Sequence, residues 1–173
     1  MWQDNLPVST GGRPMQFHIV AVGKIKEKYL QDGIREYQKR LRPYVKLNIL
    51  EIAESKRTGN LSPSQQELVK DEEGARILTA IHHDAEAIVL DPGGQQWSSE
   101  HLAEYLHKAE ISGRNNLCLI IGGDLGLSDR VLTRSNLRLS LSPMTFTHQM
   151  VRLILLEQLY RACKINHNEP YHK

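Results

Sequence analysis

Residues Leu117 to Ile121 form an unbroken apolar run that stops at Gly122-Gly123. A strand with one wet face alternates polar and apolar residues, whereas a strand that is apolar throughout must be covered on both faces. This run therefore demands a sheet lying between two layers of helix, and the rest of the chain supplies the parts. Phe17 to Val22, Leu47 to Ile52, Ala87 to Leu90 and Leu137 to Leu141 read as four further strands. Between them lie segments with helical spacing. Tyr29, Leu30, Ile34, Tyr37 and Leu41 mark one that ends at Pro43, and Ser62-Pro63 opens another that runs to about residue 81. Ser98 or Ser99 caps a third, to about Glu110. Leu127 to about Arg134 is a fourth, and Thr147 to about Ile165 is the last. Asp91-Pro92-Gly93-Gly94 reads as a turn closing the third strand. The expectation is an α/β fold with a mostly parallel sheet flanked by helices.

No stretch approaches the roughly 20 apolar residues a membrane span needs, and residues 1–14 lack the apolar centre of a secretory signal. This predicts a cytoplasmic protein with no membrane partner. Residues 1–14 read as an extension or an expression remnant, with 15–173 as one domain. Cys118 and Cys163 sit in apolar segments and read as core residues. The net charge is only +2, but Lys24 to Lys46 holds eight basic residues against three acids. A solvated helix face is the plain explanation, and a phosphate-contacting patch is the sharper one.

In sheets of this kind ligands gather at the carboxyl ends of the strands. Three segments end there in glycine or small polar residues: Leu90 to Gly94, Ile121 to Gly126 and Leu141 to Phe146. The glycine turn is neither a dinucleotide fingerprint nor a P-loop. The Leu141 to Phe146 stretch mixes Ser142 and Thr145 with Pro143, Met144 and Phe146. It can offer backbone groups to a flat heterocycle while apolar side chains cover its faces. The chain then finishes unusually. After an apolar helix come Tyr171, His172 and Lys173, reactive types where ends are ordinarily bland.

Several of these residues recur together in one family. They are Ala21 to Lys24, Leu90-Asp91 with Gly94, Ile121 to Gly123 with Gly126-Leu127, and Leu141-Ser142 with Met144 to Phe146. His148, Val151-Arg152, Glu157-Gln158, Tyr160-Arg161 and the terminal Tyr171 to Lys173 complete the set. From Met15 to Lys173 the chain resembles the ribosomal RNA large-subunit methyltransferase H family, a branch of the SPOUT superfamily. In it, Thr147 stands where relatives often carry proline. The resemblance implies a C-terminal trefoil knot, a homodimer, and S-adenosylmethionine bound by the knot loops. The cofactor positions it marks are Leu90, Gly122, Leu141, Ser142, Pro143, Met144, Thr145 and Phe146. It implies methylation at N3 of a pseudouridine in 23S rRNA within the assembled 70S ribosome.

Such a reaction needs donor and acceptor held close and the N3 proton removed. His148 and His172 are the candidate bases, with His172 slightly favoured because a tail can close over the acceptor. Tyr171 is placed to stack on or hydrogen-bond the base. Lys173 and Arg152 are candidate RNA contacts, as are Lys24 and Lys26, although Arg152 equally suits a buried ion pair with Glu157 or another acid. No metal is expected, because the spacings of His82, His83, His148, His167 and His172 match no tight ligand motif and His82-His83 reads as a helix end. The competing reading is a non-catalytic ribosome-binding module of the same fold.

Overall fold

The computed structural model describes residues 13–172. Its elements run β1 (Gln16–Val22), α1 (Lys28–Leu41), β2 (Lys46–Ile52), α2 (Pro63–Ala80), β3 (Glu86–Gln96), α3 (Ser99–Ile111), β4 (Asn116–Ile121), α4 (Asp129–Arg134), β5 (Leu137–Ser140) and α5 (His148–Asn166). The strands form one sheet in the order β2-β1-β4-β3-β5, and every pairing is parallel.

Both faces of the sheet are covered, as the apolar run requires. Leu117, Leu119 and Ile121 of β4 point with Phe17, Ile19 and Ala21 of β1 into the core beneath α1, α3 and α5. Cys118 and Ile120 point with Val20 and Val22 the other way, against Ile77 of α2 and Val131 of α4. Cys118 and Cys163 are buried free thiols, and desolvation pushes them up to about 11 and about 12. Among the described residues no helix is long and apolar enough to cross a membrane.

The helix starts follow from local chemistry. Ser62 and Gln65 cap one another reciprocally and Pro63 occupies the first helical position. Ser98, Ser128 and Thr147 cap α3, α4 and α5 through their hydroxyls. The Ser128 cap delays α4 by two residues relative to the expected start at Leu127. Thr147, the departure from proline, accepts the Met150 N–H at 3.3 Å, so it fixes the start of α5 by hydrogen bonding rather than by a constrained ring.

The expected turn at Asp91 to Gly94 is instead a continuation of β3 to Gln96. Both Leu90 and Gln95 pair with Leu139, so the residues between them form a bulge. Two contacts hold it. Arg138 on β5 donates to Asp91 through Nε at 2.8 Å and also through a terminal nitrogen. Gly94 lies against the backbone of Arg138 and Leu139, where a side chain would not fit.

α5 lies between α1 and α3, and Gly33 of α1 lets Leu153 approach closely. The chain then doubles back along α5. Tyr44 donates to Glu169 at 2.7 Å, and the Tyr171 hydroxyl reaches Tyr37 at 3.2 Å and Glu157 at 3.1 Å. The His172 ring meets Glu100 of α3 at 2.7 Å.

Candidate active site

The parallel sheet brings the three predicted segments to one edge, where they line one pocket. β3 contributes Leu90, Asp91 and Pro92, the end of β4 contributes Ile121 and Gly122, and the end of β5 with the stretch after it contributes Leu139 to Ser142 and Met144 to Phe146. The first turn of α5 closes it with His148 and Val151. Of the predicted cofactor positions, Pro143 is not among the lining residues. A larger hollow, about 1120 Å³, opens at the opposite edge. It is wide and walled by charged groups such as Glu86, Arg114 and Arg134, without the apolar walls and converging backbone that hold a flat ligand.

Glycine shapes the pocket floor. At Gly122 a Cβ would meet the Leu127 side chain at 2.9 Å and the Gly126 backbone at 3.1 Å. Gly126 has φ +87°, and its N–H closes the turn on the Gly123 carbonyl at 3.1 Å. The 141–146 wall is held by its own serines: Ser140 donates to the Ser142 carbonyl at 3.0 Å, and the Met144 N–H donates to the Ser142 hydroxyl at 2.9 Å. Met144 is 74% exposed and Phe146 38%, an unusual display of apolar surface beside a pocket.

Beneath the glycine turn lies a group that reading the chain alone missed. Glu73 of α2 is buried, accepts the Ser55 N–H at 2.9 Å, and touches the space beside Gly123. From the same side Arg57 grips Asp124 of the turn with two bonds of 3.0 and 2.6 Å. Burial raises the Glu73 carboxyl above its ordinary value, outweighing the Ser55 N–H and the nearby Arg57 and Arg76. A raised carboxyl holds its proton more tightly folded than unfolded, so stability falls as pH climbs from the ordinary carboxylate range through the raised value. Glu73→Gln is therefore expected to shift the urea midpoint upward at pH 7 and to do so less at pH 4.5, as unfolding curves at the two pH values will show.

The predicted catalytic and RNA-contacting residues separate. His148 lies in the pocket wall, and its Nε2 is buried with no hydrogen-bond partner among the described residues; the nearest carboxylate, Glu54, is 3.9 Å away. Tyr171 and His172 do not reach the pocket of their own chain, being pinned to Tyr37, Glu157 and Glu100 as described. Arg152 is 1% exposed and binds Glu51 at 2.7 Å and the Gly23 carbonyl at 2.9 Å. It is a buried tie rather than a free cation, and its acid is Glu51. Glu157 pairs with Arg161 instead. Lys24 and Lys26 are exposed, and Lys173 lies outside the described residues. His82 and His83 do not close α2, whose cap is Ile81. They meet Asp84 on an exposed turn at the far edge of the sheet, with donor atoms within 4.8 Å of one another.

The model of one family, described as a predicted SPOUT methyltransferase, matches residues 15–172. The chain belongs to the SPOUT methyltransferase family. Ribosomal RNA large subunit methyltransferase H of Clostridioides difficile is 54% identical over 159 residues, which is 92% of this chain and all of the relative. The protein of the same name from Bacillus pumilus is 49% identical over the same span. A solved methylase family protein from Neisseria gonorrhoeae shares the fold, with a TM-score of 0.51 at 10% identity, over 96% of this chain and 90% of that one. SPOUT methyltransferases use S-adenosylmethionine, and the pocket of this one suits it. Leu90, Ile121, Leu141 and Met144 give it apolar walls, the irregular 141–146 segment borders it, and Gly122 leaves the floor bare.

Proposed function

We propose that this SPOUT methyltransferase methylates N3 of a pseudouridine in the 23S rRNA of the assembled ribosome, working in the cytoplasm as a homodimer. The observation that carries it is the unpartnered Nε2 of His148 in the wall of a pocket built from three strand ends. The relatives' names supply the substrate class. When bound, S-adenosylmethionine supplies an electrophilic methyl group. Leu90, Gly122 and the 141–146 wall hold and orient it, while Met144 and Phe146 keep water from the reacting atoms. The imide nitrogen has no free lone pair until its proton leaves, and His148 Nε2 accepts that proton. Of the two candidate histidines, His148 is preferred because His172 of the same chain is engaged by Glu100.

The homodimer draws support from α5. Although packed against α1 and α3, it leaves Met150, Val151 and Ile154 only half covered near the pocket. A second copy seated there covers them and brings its own Tyr171 and His172 toward the acceptor. The trefoil knot is the accompanying proposal for the C-terminal segment. The strand order supports it, because β5 returns beside β3 and lays the 141–147 connection against residues from β3 and β4.

The test is transfer of radiolabelled methyl groups to 70S ribosomes and to free 23S rRNA. Wild type is expected to label ribosomes at one pseudouridine, and His148→Ala to be about 10²–10⁴-fold slower with S-adenosylmethionine still bound. A His148→Ala protein with full activity would remove the base assignment, and equal labelling of RNA lacking pseudouridine would remove the substrate.

A further inference from the structure

A second depression opens beside the cofactor pocket, and Thr145, Phe146 and His148 line both. Its remaining walls are Glu27, Tyr29 and Leu30 at the start of α1, Asp124 of the glycine turn, and Thr147 and Gln149 at the start of α5. The histidine whose Nε2 has no partner thus stands in the wall common to the two spaces.

Tyr29 is the unexplained residue here. It is 65% exposed, although Ile25 and Leu30 on either side are buried in the core. Tyr37, about two turns further on, shows what a structural tyrosine of α1 does: it packs on Tyr160 and bonds Tyr171. Tyr29 projects instead into the depression that Phe146, itself 38% exposed, also lines. Two aromatic rings bordering an open space beside a reaction centre suit a flat, weakly polar ligand. Lys24, Lys26 and Lys28 lead into Tyr29, and all three are exposed. Among the described ion pairs, the basic residues of this region that are engaged are Arg35 and Arg40, further along α1.

We propose that this depression receives the acceptor nucleobase, which stacks on Tyr29 while Lys26 and Lys28 hold the flanking phosphates. The inference rests on the methyltransferase reading and extends it, by giving the acceptor a place and a recognition residue next to the cofactor pocket, with His148 lining both spaces. Gln149 offers an amide to the imide edge of the base. Asp124, fixed by Arg57, sets the far wall. An aromatic residue in this role binds the acceptor and leaves the donor untouched.

Tyr29→Ala and Tyr29→Trp separate this from a packing role. For Tyr29→Ala, the affinity for S-adenosylmethionine by calorimetry and the molar mass by light scattering are expected to stay as in wild type. The KM for ribosomes is expected to rise about 10- to 100-fold, and Tyr29→Trp is expected to restore it. An alanine variant with a KM within twofold of wild type overturns the proposal. So does a variant whose mass falls to that of one chain, since the depression would then be the seat of a second copy. A short RNA carrying 4-thiouridine, irradiated with the protein, gives a readout independent of turnover. Crosslinking at residue 29 with no methyl transfer to 70S ribosomes by wild type would keep the base site and sink the pseudouridine reading; transfer to ribosomes without any crosslink near residue 29 would do the reverse.

Discussion

Alanine at Gly94 is expected to lower the stability of the protein by about 3 kcal/mol, the upper end of ordinary overpacking costs, and to abolish cofactor binding. The reason lies in what the added methyl group meets. Its carbon would sit 2.6 Å from the carbonyl carbon of Arg138, 2.7 Å from that carbonyl's oxygen and 2.8 Å from the Leu139 nitrogen. These are backbone atoms of a paired strand, and they cannot rotate away as a flexible side chain can. The strain is relieved only if β3 and β5 separate. Those strands carry Leu90, Asp91 and Pro92 on one side of the pocket and Leu139 to Ser142 on the other. Urea unfolding and a calorimetric titration with S-adenosylmethionine read the two effects. An unchanged midpoint would mean that the bulge accommodates a side chain.

Arg152→Ala is expected to cost about 3 kcal/mol, the lower end of the range for breaking a buried ion pair. The discount reflects Glu51, which is 38% exposed and recovers some hydration. The Gly23 carbonyl has less recourse, because the guanidinium that bonds it is buried and would leave a cavity. Glu51→Gln keeps a hydrogen-bond acceptor and is expected to be clearly milder. Denaturant midpoints for the two variants decide the matter, and equal losses would show that charge pairing rather than the carbonyl contact dominates.

The parts of the fold that could be read from the chain are those decided by neighbouring residues. Ser62-Pro63, Ser98 and Thr147 start helices because their hydroxyls reach N–H groups within three residues. Leu117 to Ile121 declares its own burial. The glycine turn and the 141–146 stretch announced the pocket because a parallel sheet places all strand ends together. What escaped depends on partners far along the chain. Asp91 to Gly94 has turn residues but stays a strand because Arg138, 47 residues on, holds Asp91. Arg152 looks like a pair for Glu157 five positions away, yet its acid lies 101 residues back. The tail's own-chain anchors, Tyr37 and Glu100, are similarly remote, as is the contact of Glu73 with the glycine turn. A catalytic type at the chain end was therefore visible, while its resting place was not.

The strand order carries a consequence for how the protein comes into being. None of the paired strands β1–β4, β3–β4 or β3–β5 is joined by a tight hairpin, because parallel pairing forces each return through a long crossover. Long-range pairing of this kind slows folding, since closure entropy must be met before the contacts repay it. β5 and the 141–148 wall leave the ribosome after nearly everything else. A nascent chain that has already assembled β1 to β4 still has no complete place for a methyl donor. Cofactor binding can thus serve as a late clock: its appearance during synthesis or refolding reports the docking of the last strand rather than the collapse of the core.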